Sequence, residues 1–422
     1  MKRSPVVIFC YNRLDCLEKM VESLLRCNHV QERDYFFFSD APNYKVIGDE
    51  NKVKLVRDYL YSLQKSRVFK SMRIDCATDH LGCRSSVIKG INEIINRFGK
   101  IIDIEDDLIV SEDFLDYMDE ALDYFESDKS VWSISGFTEP IDELYSLDVS
   151  TIRVKRFMSW GFGIWKDRWE RIDWDDGNYD SFREDEDLQD KFSETGYDLP
   201  RMYVFQNERC LDSWAITCEY YASLNHCDTV CPVKSRTYNI GYGKNAGIHD
   251  SEKVQQQSID LSISSYSFER CQRHEVIDNK MRSISWSKEQ YEKWKENRRG
   301  GSSEDKFENY YLFMNKWMKQ RESFIEIYRF FSEKKIKSIA IYGASIMAER
   351  LSADLKDHDV EIAYYIESRK KNIVGKKVYT MDDELPIVDM IVVTPFLEYY
   401  AIRKKLNAKC NIPVCSIEKV IG

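Results

Sequence analysis

The chain has 422 residues, of which 43% are hydrophobic, so it is long enough to form two or three domains with sizeable cores. Its formal net charge of −10 argues against general attraction to nucleic acid or to anionic lipid. Nucleic acid is therefore not an expected partner.

The N-terminal segment lacks the features of a secretory signal peptide. Its apolar run ends at Asn12 and Arg13, which is too early for the hydrophobic region of a signal peptide. No stretch of about 18 uninterrupted apolar residues is present, so no membrane-spanning helix is predicted. The 12 cysteines then fit reduced cytosolic thiols better than a disulfide framework. We expect a cytoplasmic protein, and the sequence leaves open peripheral association with the inner membrane face and homo-oligomerisation.

The first third of the chain alternates between short apolar runs and segments with helical periodicity. The runs predicted to be strands lie at residues 6–9, 35–38, 72–75 and 101–104. Strands and helices in strict alternation are typical of an α/β doubly wound sheet. Ligands of such sheets bind outside the carboxyl ends of the strands, which is where Asn12, Arg13, Asp40 and the acidic residues 105–107 fall.

The middle of the chain has a different pattern. From residue 132 to residue 249 the alternation gives way to less regular, aromatic-rich sequence, which we interpret as the acceptor half of the same domain. The residues that follow are charged and helical in pattern, and a run of Arg, Gly and Ser at 298–303 indicates a loop.

The α/β pattern restarts near the C-terminus. Residues 338–343 predict a strand and a turn, and a helix and two further strands follow. The predicted fold is therefore α/β, with three parts. A domain with a mostly parallel sheet occupies residues 1–258, a helical connector residues 259–335, and a second, smaller Rossmann-like domain residues 336–422.

Three adjacent acids, Glu105, Asp106 and Asp107, follow a buried strand. Such a cluster is tolerable when a hard divalent cation takes oxygen ligands from it and leaves coordination positions for diphosphate oxygens. A solvated acidic turn is the alternative interpretation. The sequence after the triplet predicts a helix with Ser111 as its N-cap. The acids therefore make Mn2+ or Mg2+ a candidate cofactor.

Several separate segments resemble N-acetylglucosaminyltransferase I and related bacterial GT-A glycosyltransferases. They are VVIFCYNR at 6–13, FFSD at 37–40, IDIEDDL at 102–108, DF at 113–114 and DSW at 212–214. The bacterial relatives also have segments like SWGFGIW at 159–165 and NIGYG at 239–243, the latter followed by His249. The resemblance covers roughly residues 5–250 and keeps the order of the motifs.

The resemblance implies a GT-A nucleotide-sugar-binding domain and an inverting, metal-dependent transfer of a sugar to an acceptor hydroxyl. Arg13 would contact the donor diphosphate, Asp40 would pair with a uracil base, and Asp107 would bind the metal. Asp212 would be the catalytic base. The donor would be a nucleotide sugar, most plausibly a UDP-sugar, and the acceptor a glycan or a lipid-linked glycan.

The residues themselves leave alternatives open for these roles. Asp40 precedes an Ala-Pro pair, so it also fits a turn. Asp212 lies at the start of a predicted helix, so it fits either an N-cap or a partly buried base whose proton affinity is raised beside Trp214. Glu105 and Asp106 complete the acidic part of the donor site.

Three further residues are weaker candidates. His249 would complete the metal site, on a glycine-containing segment that is a candidate lid. Arg84 would bind the diphosphate or, alternatively, form an ordinary salt bridge. Trp160 would stack on an acceptor sugar, whereas the neighbouring tryptophans are interpreted as core.

Two other functions fit parts of the sequence. A sugar nucleotidylyltransferase is also α/β and metal-dependent, but it needs a glycine-rich loop after its first strand, and residues 9–13 contain no glycine. The alternative of an NAD-linked enzyme is based on Gly343 and Glu367, which match two positions of a dinucleotide-binding fingerprint. This sequence has only the first of the glycines that the fingerprint requires. The C-terminal domain also resembles Rossmann-like domains appended to sugar-modifying enzymes.

Overall fold

The computed structural model describes residues 3–207, 211–241, 265–300, 327–367 and 377–421, together with residues 310, 313, 314, 317 and 318. The chain divides into two compact units. The first comprises Met1–Asn207 and Leu211–Lys295, and the second includes Glu296–Gly422.

The described residues of the first unit form ten strands. They are β1 (Val6–Cys10), β2 (Asp34–Ser39), β3 (Ser71–Cys76), β4 (Lys100–Glu105), β5 (Leu108–Val110), β6 (Val131–Ser135), β7 (Thr151–Val154), β8 (Phe162–Trp165), β9 (Asp228–Pro232) and β10 (Thr237–Asn239). Eight of them form one sheet in the order β3-β2-β1-β4-β8-β6-β9-β7, and β10 pairs with β5 in a second sheet. The four strands predicted from the first third of the sequence are confirmed and lie side by side in parallel.

The other half of the large sheet was not predicted as regular structure. Strand β8 runs antiparallel to both β4 and β6, β9 runs parallel to β6, and β7 closes the edge antiparallel to β9. These strands have four or five residues each, and most of their residues are buried, so they lack the alternation that would identify them in the sequence. The sheet is therefore mixed, with a parallel half that contains the predicted strands.

Helices cover both faces of this sheet. In chain order they are α1 (Leu14–Leu25), α2 (Asp49–Ser66), α3 (Cys83–Phe98), α4 (Phe114–Tyr124), α5 (Lys166–Trp169), α6 (Tyr179–Glu184), α7 (Glu186–Ser193), α8 (Leu199–Asn207), α9 (Trp214–Leu224), α10 (Glu275–Arg282) and α11 (Lys288–Gly300). Short 3-10 helices lie at Val30–Glu32 and Asp142–Ser146.

The core lies between the parallel strands and helices α1, α2 and α4. Helix α1 buries Leu17, Met20 and Leu24, whose spacing of three or four residues places them on one face. On the opposite face α3 packs closely on β1, because a Cβ at Gly90 would lie 2.5 Å from the ring of Phe9. Burial of the central strands on both faces explains their unbroken apolar sequence.

The predicted N-cap at Ser111 is wrong. Residues Leu108–Val110 form β5 instead of leading directly into a helix, and α4 begins at Phe114 with Asp113 in the cap position. Ser111 uses its hydroxyl to donate a hydrogen bond of 2.6 Å to the Asp113 carboxylate. The pairing of β5 with β10, far along the chain, overrides the local helix signal.

The second unit contains a five-stranded sheet in which every pairing is parallel. Its strands are β11 (Ser338–Tyr342), β12 (Glu361–Glu367), β13 (Val378–Thr380), β14 (Met390–Val393) and β15 (Val414–Ser416), in the order β13-β12-β11-β14-β15. Its helices are α12 (Tyr328–Glu333), α13 (Ile346–Asp354), α14 (Tyr399–Lys409) and α15 (Ile417–Ile421), with a 3-10 helix at Phe396–Glu398. The prediction of a second, smaller parallel α/β unit is confirmed.

Within the described ranges, no helix combines the length and the apolar character needed to cross a lipid bilayer.

Candidate functional site

A cavity of about 970 Å3 opens at the carboxyl ends of the parallel strands β1, β2 and β4. This is the edge at which ligands of doubly wound sheets bind. The predicted site residues that line it are Arg13, Asp40, Glu105, Asp106, Asp107, Trp160 and Asp212. The structure thus brings together residues that lie up to about 200 positions apart in the sequence.

Arg13 binds the acidic triplet directly. Its guanidinium donates one hydrogen bond of 2.5 Å to Asp106 and another of 2.8 Å to Asp107. Burial raises the pKa of Asp106, and Arg13 partly offsets that increase. Burial and the charge of Asp107 likewise raise the pKa of Glu105. Arg13 is therefore the positive group that makes these closely spaced acids tolerable.

Strand β10 brings two more residues against Asp107. The Asn239 amide lies 3.4 Å from the Asp107 carboxylate, and the Ile240 N–H donates a bond of 2.8 Å to the Asp107 carbonyl oxygen. A Cβ at Gly241 would lie 2.0 Å from Asp107 Oδ2 and 2.9 Å from Arg13. A side chain at this position would force Asp107 or Arg13 to move, so the backbone forms a close cradle around the carboxylate.

These residues fit a divalent cation that is held jointly by protein and ligand. The Arg13 guanidinium places a positive charge against the Asp107 carboxylate, which shows that this position suits a cation. The available ligands are carboxylate oxygens, which Mg2+ and Mn2+ prefer. Within the described residues, no three His, Cys, Asp or Glu side chains form a group that could hold a metal. A cation bound by Asp107 would therefore complete its coordination with phosphate oxygens and water.

Asp40 has a different environment. Its Oδ1 accepts hydrogen bonds from the N–H groups of Ala41 (2.8 Å) and Leu81 (2.9 Å), and its Oδ2 accepts one from Gly82 (3.0 Å). The ring of His80 lies 3.0 Å from the same carboxylate. Asp40 thus ties the end of β2 to the loop before α3. Its contact with a uracil base stays a prediction.

A second polar network borders the cavity and was missed in the sequence. Buried Asp49, the first residue of α2, accepts hydrogen bonds from Tyr11, from the Asn12 amide (2.6 Å) and from the Asn43 N–H (2.7 Å). The rings of Tyr11 and His80 lie 5.3 Å apart beside it. These bonds join the loops that follow β1 and β2.

Asp212 lies in the cavity wall as an exposed carboxylate, so the expectation that it is partly buried is wrong. It is not an N-cap either, since Ser213 holds that position before α9. A Cβ at Gly82, whose φ is +81°, would lie 3.0 Å from Asp212 Oδ2. Trp214 instead turns into the core and stacks on Phe162 with ring centroids 5.2 Å apart.

The remaining candidates have different positions. Trp160 lines the cavity, and its ring packs edge-on against Phe137 with centroids 4.5 Å apart. Arg84 is not among the residues that line the cavity. Its guanidinium donates to Thr217 (2.7 Å) and Asp176 (3.0 Å), which indicates a role in holding the start of α9. His249, and the part of the candidate lid around it, lie outside the described residues.

The sequence matches no family model and no curated protein. Among solved structures it is similar to the mannosyltransferase PcManGT from Pyrobaculum calidifontis in complex with GDP-Man and Mn2+. The identity is 14% and the TM-score is 0.28, and the match covers 40% of this chain and 46% of that chain. It is also similar to S. aureus TarS 1-349 in complex with UDP-GlcNAc, with 10% identity, 56% and 58% coverage, and a TM-score of 0.34.

The matched region thus spans about half the length of each of these two proteins. Identity and TM-score are too low in both cases to transfer a fold or an activity to this chain.

Proposed function

We propose that the chain is an inverting, metal-dependent glycosyltransferase that moves a sugar from a nucleotide sugar to an acceptor hydroxyl. The observation that carries this proposal is the presence of two chemically distinct carboxylate groups in one cavity. Asp106 and Asp107 are buried and bonded to Arg13, whereas Asp212 is exposed. The first group suits charge neutralisation at a leaving diphosphate, and the second suits proton abstraction.

On the donor side, Arg13 and Asp107 would hold the diphosphate. Arg13 offers planar N–H donors that match phosphate oxygens, and Asp107 would hold Mn2+ or Mg2+ beside it. The cation, when bound, neutralises the charge that develops on the departing nucleoside diphosphate. Glu105 and Asp106 lie next to Asp107 and would complete the donor site, where Asp106 holds Arg13 in place. We propose a uridine nucleotide as the donor, with Asp40 and its loop at the base.

On the acceptor side, Asp212 would take the proton from the attacking hydroxyl. A single base is sufficient for an in-line displacement, because the acceptor oxygen attacks the anomeric carbon while the diphosphate leaves from the opposite side. This geometry inverts the anomeric configuration. Trp160 offers an aromatic surface for an acceptor sugar, which we propose belongs to a glycan or a lipid-linked glycan.

The proposal makes Asp107 necessary for cation-dependent nucleotide binding. Isothermal titration of UDP in the presence of Mn2+ should give a much weaker affinity for Asp107→Ala than for the wild-type protein. Asp58→Ala is the matched control, because Asp58 is an exposed carboxylate on α2 that pairs with Lys54. Equal Mn2+-dependent affinity in Asp107→Ala and wild type would refute the assignment.

The second unit is proposed to be separable from this chemistry. Gly343 has φ of +88°, as the first glycine of a dinucleotide loop requires, but the next backbone N–H, that of Ala344, donates a 2.6 Å hydrogen bond to Glu367. This bond places a carboxylate where a phosphate would need a free N–H donor. The geometry therefore does not favour the NAD-linked alternative.

A further inference from the structure

Asn12 and Asp49 form a pair whose chemistry fixes the direction of one amide group in the cavity wall. Asp49 is 2% exposed and lies outside the residues that line the cavity, whereas Asn12 is half-buried and lines it. The Asn12 Nδ2 lies 2.6 Å from Asp49 Oδ1. The pair connects the loop after β1 to the first turn of α2.

The ionisation state of Asp49 determines which way the amide points. Burial alone would raise the pKa of Asp49, but hydrogen bonds from Tyr11, Asn12 and Asn43 outweigh it and hold the pKa below the ordinary value. An ionised carboxylate only accepts hydrogen bonds. The Asn12 side chain must therefore turn its NH2 group to Asp49, which leaves its carbonyl oxygen as the other polar end.

Within the described part of the chain, no group donates a hydrogen bond to Asn12 Oδ1. A half-buried acceptor at the surface of a binding cavity is favourable when a ligand supplies the donor. Tyr11 and His80, whose rings lie 5.3 Å apart, line the same cavity as Asn12. Asp40, which the resemblance assigns to the base, already accepts hydrogen bonds from three backbone N–H groups. Asn12 is therefore better placed than Asp40 to accept a hydrogen bond from a base.

We infer that Asn12, oriented by Asp49, is the specificity-determining residue for the nucleobase and accepts a hydrogen bond from a ring N–H. Asp49 is a positioning residue that acts through Asn12. The inference rests on the proposed nucleotide-sugar donor. Uracil presents a ring N–H at N3, whereas cytosine presents an acceptor at the same position, so the site should select UDP over CDP.

The test is the ratio of UDP to CDP affinity, measured by isothermal titration with Mn2+. We expect the wild-type protein to prefer UDP by about tenfold or more, the usual scale for leaving a buried polar group unpaired. In Asp49→Asn the neighbouring amide can reverse, because the new side chain both donates and accepts, and the ratio should fall towards one. A loosened site would weaken both nucleotides equally and leave the ratio unchanged.

Two further variants keep the test decisive. Asn12→Ala removes the acceptor itself and should also bring the ratio towards one, even if Asp49→Asn does not fold. Asp58→Asn, an exposed substitution on the same helix, should keep the wild-type ratio. A wild-type ratio retained in Asn12→Ala would overturn the inference alone. Equal wild-type affinity for UDP and CDP would overturn both the inference and the proposed uridine donor. Absence of any nucleoside diphosphate binding would overturn the proposed function as well.

Discussion

Replacing Arg13 with glutamine should make cation binding less dependent on the nucleotide. The Arg13 guanidinium contacts the acidic cluster, with hydrogen bonds of 2.8 Å to Asp107 and 2.5 Å to Asp106. A cation that approaches Asp107 must first displace it. A nucleoside diphosphate removes this competition, because its phosphate oxygens offer new partners to both Arg13 and the cation.

The size of the expected change in Mn2+ affinity follows from the hydrogen bond between Arg13 and Asp107 that the cation must break. A hydrogen bond to a charged group contributes about 1.5–3 kcal/mol, and the Arg13 side chain is only 27% exposed, so solvent screens it weakly. Each 1.4 kcal/mol corresponds to about a tenfold change in a binding constant. Arg13→Gln should therefore bind Mn2+ about 10- to 100-fold more tightly in the absence of nucleotide.

Mn2+ titrations followed by electron paramagnetic resonance, with and without UDP, measure this effect independently of turnover. The factor by which UDP strengthens Mn2+ binding equals the factor by which Mn2+ strengthens UDP binding, so both titrations must agree. We expect this factor to shrink in Arg13→Gln. Arg26→Gln, which removes an exposed arginine at the other end of α1, is the control. Unchanged Mn2+ affinity in Arg13→Gln would refute the competition between Arg13 and the cation.

Four further outcomes are expected. Asp212→Asn should lower turnover by about a hundredfold or more with nearly unchanged donor affinity, and a product that retains the anomeric configuration by NMR would exclude a single displacement. Gly241→Ala should abolish Mn2+-dependent UDP binding while circular dichroism stays native, because its Cβ would meet Asp107 at 2.0 Å. Burial raises the pKa of Glu219 from its ordinary value of 4.5 to about 8, so the folded state binds a proton more tightly than the unfolded state. The free energy of unfolding should therefore fall as the pH rises from 4.5 through 8. Glu219→Gln should remove the part of this decline that Glu219 causes, which chemical denaturation would show as a flatter pH profile, with up to about 5 kcal/mol at stake. A truncated chain without residues 336–422 should keep transfer to a soluble acceptor, and its complete loss in a folded variant would contradict separability.

The sequence predicted the four parallel strands of the first sheet and strands β11, β12 and β14 of the second unit because these apolar runs alternate with segments of helical periodicity. Strands β6, β7, β8 and β9 lie in irregular, aromatic-rich sequence without that alternation, so the sequence did not predict them. Their place in the sheet depends on pairing between distant segments, such as Ile134 of β6 with Val230 of β9. A local pattern contains no information about such pairing.

The same limit applies to the candidate site. Arg13, Asp40 and Asp107 were predicted because each follows a strand end, where chain order alone indicates the position. The bond between Asn12 and Asp49 spans 37 residues, and the contact of Asn239 with Asp107 spans 132, so neither was visible in the sequence. Exposure of Asp212 was mispredicted because the adjacent Trp214 turns away from it into the core.

The contact between β5 and β10 has a consequence for how the protein acquires its site during synthesis. The cradle around Asp107 is closed by Asn239 and Gly241, which leave the ribosome after more than half of the chain has been made. Domains generally fold as units once their sequence is available. A nascent chain that ends before β10 therefore lacks one wall of the cavity. Nucleotide should begin to protect the chain from proteolysis only after β10 has paired with β5.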